Sequence, residues 1–232
     1  MSVLARDYGL RIISGGQIGA DLAGLRAAQS VGLLTGGTAP KGYRTLKGSQ
    51  PGLAGFGLVE HARAGYPGRT LQNVIDADAT VIIAKNLNSA GTKLTVEYCA
   101  QQQRPYHMLH CMINNHGVML VNGPAVLDKA VDALAEQMKK KLAQTPNEQF
   151  VINVAGNSTE SASGIFMATY VLLLQLFDRL EAKLSNGDEV SKVFHARVAE
   201  MLQPHIPVQL EDVFEYIPQL DPRRAQLTLM HE

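Results

Sequence analysis

The sequence predicts an α/β protein with a doubly wound, mainly parallel sheet and a C-terminal helical extension. Short apolar runs rich in β-branched residues alternate with helical patterns of ten or more residues, which is typical of a parallel sheet. Three of these runs end in loops of glycine and polar residues, at the position where open α/β sheets bind ligands. These two observations also predict that the functional site lies at the ends of these strands.

The composition fits a folded domain with an appendage. The chain has 232 residues, with 21 Lys and Arg against 21 Asp and Glu, so its formal net charge is zero. This balance argues against a basic nucleic-acid-binding surface. Two cysteines argue against a disulfide scaffold and suit a reducing compartment. The sequence lacks an apolar run long enough to span a membrane and a secretion-signal pattern, so we expect a cytoplasmic protein.

The apolar patterns place five strands and six helices along the chain. The predicted strands are short apolar runs and cover 10–14, 79–85, 106–111, 118–121 and 150–154. The predicted helices have apolar residues at three- and four-residue spacing and cover 20–31, 69–77, 92–103, 124–143, 164–184 and 188–202. Frequent glycine and proline predict a long loop over 35–57.

The first candidate site lies where the first predicted strand meets its helix. Residues 14–21 read Ser-Gly-Gly-Gln-Ile-Gly-Ala-Asp, with glycines that let an anion approach the backbone and a helix start that offers free N–H groups. We expect a side chain at Gly16 to block this approach. Gln17 and Asp21 add polar side chains to the same turn. The alternative is a turn that needs glycine only for its shape.

Two later strand ends carry similar loops. Residues 88–97 place Thr92 at the expected N-cap of a helix, and Glu97 in its second turn. We expect Glu97 to be partly sheltered there and to bind sugar hydroxyls or act as a base. Residues 153–161 again run from a strand through Gly156 into polar residues. Because parallel strands end at one sheet edge, the three loops predict one anion-binding crevice.

Cationic side chains elsewhere offer further phosphate contacts. Gly37 belongs to a glycine loop that carries Lys41 as a point charge and Arg44 as a planar fork.

The predicted helix over 69–77 places Arg69, Asn73 and Asp76 on one face through its i,i+3 and i,i+4 spacing. The alternative is a solvated helix face with an Arg69–Asn73 contact.

The histidines and cysteine between 107 and 116 fit no structural zinc pattern. We therefore expect no metal held directly by side chains.

Five segments occur in order: ISGGQIGADLAGLRAA, TGGTAPKGYR, RTLQNVIDADATVII, AGTKLTVEYC and INVAGNSTES. Together they span about residues 10–177 and resemble the molybdenum-cofactor carrier proteins and their bacterial relatives. The resemblance implies a Rossmann-like fold, within a superfamily that includes lysine-decarboxylase-like phosphoribohydrolases and DprA-like proteins. It also implies an oligomer that binds phosphate-bearing molybdopterin, the molybdenum cofactor, or a nucleotide.

The resemblance carries ligand contacts onto this chain at Gly15, Gly16, Gln17, Asp21, Lys41, Arg69, Asn73, Gly91, Thr92 and Glu97. The glycine loops themselves add Gly19, Gly37 and Gly156. Three functions remain open. The chain holds and delivers a phosphorylated ligand, or it senses a nucleotide-derived ligand that controls oligomerisation through the C-terminal tail. Alternatively it is a nucleoside 5′-monophosphate N-glycosidase in which Glu97, with Arg69 and Asp21, activates water.

The C-terminal part predicts the assembly. We expect residues 1–185 to form the Rossmann-like binding domain and 186–232 to form a helical arm and tail. The helix over 164–184 is apolar on more than the stripe that a surface helix needs. We therefore expect this helix and the arm to pack against a second subunit in a dimer or tetramer. The alternative is an arm that folds back on its own subunit.

Overall fold

The computed structural model describes residues 2–114, 117–185 and 189–203, which form a seven-stranded sheet with helices on both faces and a separate small hairpin. The strands are β1 (Arg11–Ile13), β2 (Leu34–Ala39), β3 (Arg44–Thr45), β4 (Gly48–Ser49), β5 (Leu58–Glu60), β6 (Ala79–Ala84), β7 (Tyr106–Asn114), β8 (Gly117–Leu120) and β9 (Val151–Gly156). The helices are α1 (Val3–Arg6), α2 (Ala20–Ser30), α3 (Tyr66–Asp76), α4 (Ala90–Gln101), α5 (Ala125–Gln144), α6 (Ile165–Leu184) and α7 (Glu189–Met201).

The strand order in the sheet is β5-β2-β1-β9-β6-β7-β8. All neighbours are parallel except β7 and β8, which pair antiparallel. Strands β3 and β4 form the separate hairpin. The last strand, β9, lies between β1 and β6, and its Ile152 is in register with Ile12 on one side and Ala79 on the other. The doubly wound α/β fold is confirmed, and the carboxyl ends of β1, β9 and β6 lie side by side.

The core is built from alternate strand residues that point toward one helical layer. Ile12, Val81 and Ile83 are fully buried and belong to one cluster with Leu173 and Phe177 of α6. Burying each such side chain stabilises the fold by about 1.5–3 kcal/mol. Helices α2, α5 and α6 cover this face, and α3 and α4 cover the other. No helix within the described residues is both long and apolar enough to cross a membrane.

The predicted loop over 35–57 is wrong at its start, because β2 runs through it as a parallel neighbour of β1. The strand contains Gly36 and Gly37, which obscure the alternation of apolar and polar residues that would indicate a strand. At Gly37 φ is +121°, and a Cβ would lie 2.3 Å from Ser14 O. Gly37 therefore serves a close approach of backbones and Gly36 leaves room for the Arg11 side chain, where the composition predicted a turn.

Helix α7, the described part of the predicted arm, folds back onto α6 of its own chain. Phe194 and Val198 are buried in the main core, and His195 Nδ1 lies 2.6 Å from Asp178 Oδ1 of α6. The expectation that this arm packs on a second subunit is therefore wrong for α7. Helices α2, α5 and α7 cover α6 instead. Residues 186–188 and 204–232 of the predicted arm and tail lie outside the described residues, and the predicted oligomer stays a prediction.

Candidate functional site

A cavity of about 400 Å³ opens at the carboxyl ends of β1, β6 and β9. It receives residues from the three loops that the sequence predicted to meet, and also from α3 and from the β3–β4 hairpin. The predicted ligand contacts that line it are Gln17, Asp21, Arg69, Gly91 and Gly156. The remaining predicted contacts are not among the residues that line it.

Asp21 and Arg69 form a buried ion pair in the cavity wall. Arg69 Nη1 donates to Asp21 Oδ2 at 3.0 Å, and the guanidinium lies across Gly15, where a Cβ would come within 1.9 Å of it. Burial raises the pKa of Asp21, against the opposing effects of Arg69 and of backbone hydrogen bonds from Gln17 and Gly15. Arg69 Nε is buried without a hydrogen-bond partner among the described residues. Gly15 thus provides room for Arg69, which keeps an unpaired donor.

Gln17 anchors the β3–β4 hairpin beside the cavity. Its Oε1 accepts hydrogen bonds from the N–H of Leu46 at 3.1 Å and of Ile18 at 2.9 Å. Leu46 lies between the two hairpin strands, is 43% exposed and lines the cavity. Gln17, which the sequence predicts as a ligand contact, therefore also positions the apolar side chain of Leu46.

The N-terminus of α4 presents open N–H groups to the cavity. Its N-cap is Ser89, not the predicted Thr92, and the Ser89 Oγ accepts from Thr92 N–H at 3.4 Å. The first hydrogen bond of the helix runs from Lys93 N–H to Ser89 O at 3.1 Å, so the N–H groups of Ala90 and Gly91 precede it. Both residues line the cavity. The positive end of the helix dipole favours an anion there.

Asn157 joins the second and third loops. It is only 2% exposed, and its Oδ1 accepts from the N–H of Lys85 at 2.9 Å and of Asn86 at 2.8 Å. Its Nδ2 lies 2.9–3.0 Å from Asn86 O, Ser89 Oγ and Thr92 Oγ1. The amide thereby fixes the start of α4 against the end of β9. The sequence placed Asn157 in a polar loop but did not predict this role, because its partners are about 70 residues away.

Three predicted glycine contacts serve packing instead of the cavity. Gly16 has φ of +70°, and a Cβ there would lie 2.8 Å from Leu58 and 2.9 Å from Leu53. A side chain at Gly16 would therefore strain the fold and not block an anion, which corrects our expectation. Gly19 and Gly37 likewise lie against neighbouring backbone.

Four predicted side-chain contacts also lie outside the cavity lining. Thr92 is buried, and its Oγ1 accepts a hydrogen bond from Asn157 Nδ2. Asn73 is buried, with Oδ1 accepting from Thr38 N–H at 2.8 Å and Nδ2 donating to Thr38 O at 2.9 Å, so it holds α3 to β2. Lys41 lies in an exposed turn, and Glu97 is exposed on α4. Glu97 is not sheltered as predicted, and Asp21 is the carboxylate that lines the cavity.

Comparison with known proteins identifies the family. Residues 12–177 match the circularly permutated YpsA SLOG family. The chain belongs to this family. This SLOG chain shares 30% sequence identity with the "Putative molybdenum carrier protein" from Syntrophus aciditrophicus SB. The crystal structure of that protein superposes on this chain with a TM-score of 0.53. The match covers 72% of this chain and 93% of that chain. Among curated proteins, none matches. The predicted resemblance is thereby confirmed.

The SLOG chain has further cavity residues that the sequence did not predict. Tyr66 and Pro67 at the start of α3, and Leu94 on α4, contribute apolar surface. In a sequence, Gly-Tyr-Pro indicates only a turn or helix start, so no signal marked the tyrosine. Among the described residues, no group of three or more His, Cys, Asp or Glu side chains could hold a metal ion. His116 lies outside the described residues.

Proposed function

We propose that this SLOG protein binds a small phosphorylated ligand in the cavity and holds or delivers it without converting it. The observation that carries the proposal is that the open N-terminus of α4 and the Arg69 guanidinium line the same cavity. A phosphate accepts hydrogen bonds from main-chain N–H groups at a helix start and from a planar guanidinium. Gly91 allows the close approach that such a contact requires.

The unpaired donor of Arg69 supports an anionic ligand. A buried donor without a partner costs about 1–3 kcal/mol. In this protein Asp21 occupies Nη1 only, and Arg69 Nε has no partner in the described part of the chain. A small rotation of the guanidinium toward a phosphate would supply acceptors and keep the ion pair. Binding would thus remove an unfavourable feature of the free site.

The related protein of known crystal structure is named a molybdenum carrier, which supports a ligand related to the molybdenum cofactor. We therefore propose a molybdopterin-like or a nucleotide-like compound as the ligand. Both carry a phosphate and a flat heterocycle, and a cavity of about 400 Å³ lies within the usual range for small-molecule sites.

The N-glycosidase interpretation receives no support from the cavity. Its proposed base, Glu97, is exposed and does not line the cavity. The carboxylate that does, Asp21, is paired with Arg69 and hydrogen-bonded to Gln17 N–H. The sensor interpretation depends on a tail that lies outside the described residues.

The test compares Arg69→Lys with Arg63→Lys, using adenosine 5′-monophosphate as the probe in calorimetric titrations. Lysine at position 69 keeps the charge opposite Asp21 but loses the planar fork, so we expect binding to weaken about 10-fold. Arg63 is exposed and outside the cavity lining, and its variant should bind like the wild type. Equal affinity for both variants would refute the proposal.

Two further measurements complete the test. Mass spectrometry of the compound that co-purifies with the protein should identify a phosphorylated pterin or nucleotide. Chromatography of the nucleotide after incubation should show no free adenine, and its catalytic release would overturn the carrier function. The dimer or tetramer that the resemblance implies is part of the proposal and is checked by light scattering.

A further inference from the structure

The cavity has an apolar end as well as an anion-binding end. Tyr66 is 39% exposed and Leu46 is 43% exposed, and both line the cavity together with Pro67 and Leu94. Large apolar side chains that stay exposed in a concave site typically contact the apolar part of a ligand. A phosphate alone would leave this surface unused.

Tyr66 is presented from a well-fixed backbone. Gly65, with φ of +96°, is the N-cap of α3, Tyr66 is the first helical residue, and Pro67 follows in the first turn. The carbonyl of Tyr66 accepts a hydrogen bond from Thr70 Oγ1 at 2.9 Å. A tyrosine side chain has only two torsions, so on a fixed backbone it loses little conformational entropy when a ligand stacks on it.

The two ends of the cavity meet at Arg69. Its Cζ lies 5.9 Å from the centre of the Tyr66 ring, while its Nη1 contacts Asp21. A phosphate bound at Arg69 therefore lies close to the aromatic ring, and the next groups of the ligand can reach Tyr66. The arrangement suits a compact molecule with a phosphate at one end and a flat ring at the other.

We infer that Tyr66 is the stacking platform for a planar heterocycle, and that it selects phosphorylated heterocycles over plain sugar phosphates. This inference rests on the proposed function and names the class of ligand for the same cavity. Bases stack on aromatic side chains with little dependence on their identity, because every heterocycle has a π-face. Tyr66 is thus a specificity-determining residue that adenine and pterin rings would share.

The first experiment compares Tyr66→Leu with Tyr66→Phe by calorimetry, with adenosine 5′-monophosphate and ribose 5-phosphate as probes. Tyr66→Leu removes the π-face, so its affinity for the nucleotide should fall about 10-fold or more. Its affinity for ribose 5-phosphate should stay within about twofold of wild type, because the phosphate contacts are intact. Tyr66→Phe keeps the ring and should bind both probes like the wild type.

A second experiment uses fluorescence. The chain has no tryptophan, so Tyr66→Trp places a single indole in the protein at the proposed platform. Adenosine 5′-monophosphate should quench its emission on titration, and ribose 5-phosphate should not, since only the nucleotide can stack. Thermal melting of each variant verifies that it is folded.

The outcomes separate this inference from the proposed function. If wild-type protein binds ribose 5-phosphate as tightly as the nucleotide, the phosphate site stands and the platform is refuted. An equal loss of affinity for both probes in Tyr66→Leu also refutes the platform. If neither probe binds the wild type, the proposed function fails, and the inference that rests on it fails as well.

Discussion

Replacing Gly91 by alanine tests whether the start of α4 is the anion site. A Cβ at Gly91 would meet no heavy atom within 4 Å, and its φ is not in the positive region. Alanine should therefore fit without strain. Because a helical Cβ tilts toward the N-terminus of its helix, the new methyl group would lie beside the open N–H groups of the first turn.

The expected magnitude follows from the contact that is lost. A hydrogen bond to a charged group contributes about 1.5–3 kcal/mol, so losing one should weaken binding about 10- to 150-fold. Alanine at a helical position is about 0.5–1 kcal/mol more favourable than glycine. The melting temperature should therefore stay constant or rise by about 1–4 °C. Weaker binding by a more stable protein is an outcome that general damage to the fold would not give.

The assay is calorimetric titration with adenosine 5′-monophosphate, paired with a melting curve of each variant. Gly55→Ala is the matched control, because a Cβ there also meets nothing within 4 Å and the residue lies outside the cavity lining. The control should bind like the wild type. A Gly91→Ala protein that is fully folded and binds within about twofold of wild type would refute the assignment of this helix start.

Three further predictions concern residues around the site and the arm. Glu97→Gln should leave nucleotide affinity unchanged in titrations, because the side chain is exposed outside the cavity. A large loss of affinity would show that Glu97 contacts the ligand after all. Burial raises the pKa of Asp21, so its ionised form opposes folding above that raised pKa, and this cost disappears below the ordinary carboxyl pKa. The difference in melting temperature, Asp21→Asn minus wild type, should therefore be larger at about pH 7 than at about pH 4. A difference that stays constant with pH would contradict this. Phe194→Ala should lower the free energy of unfolding in urea by about 3–5 kcal/mol, because Phe194 is in the core; a change below about 1 kcal/mol would mean that α7 contributes little.

The sequence was sufficient to predict the sheet class and the edge where the site lies. The run ATVIIA is apolar except for Thr80 and is buried throughout as β6, so its assignment needed no knowledge of neighbours. Likewise, three glycine-containing strand ends could be placed together, because parallel strands end at a common edge. β2 could not be predicted in this way, since its glycines are explained only by the strand beside it.

The detailed roles of site residues depend on contacts distant in sequence. Asn73 hydrogen-bonds to the backbone of Thr38, so its amide is not free for the ligand contact that the sequence predicted. Asn157 hydrogen-bonds to the start of α4, a role that the sequence did not predict. Tyr66 becomes a candidate only when its exposure inside a cavity is known. The packing of α4 against its neighbours, and not the spacing of residues in the sequence, likewise determines that Glu97 lies on the exposed face of the helix.

The central position of β9 has a consequence for synthesis of the protein. β1 and β6 do not pair with each other, so the half-sheets β5-β2-β1 and β6-β7-β8 are joined only when β9 enters between them. A ribosome must therefore release the chain beyond Gly156 before the cavity exists. Until then the edges of β1 and β6 are unpaired and apolar, the condition under which nascent chains aggregate or recruit chaperones. The binding site is thus among the last features of the domain to form.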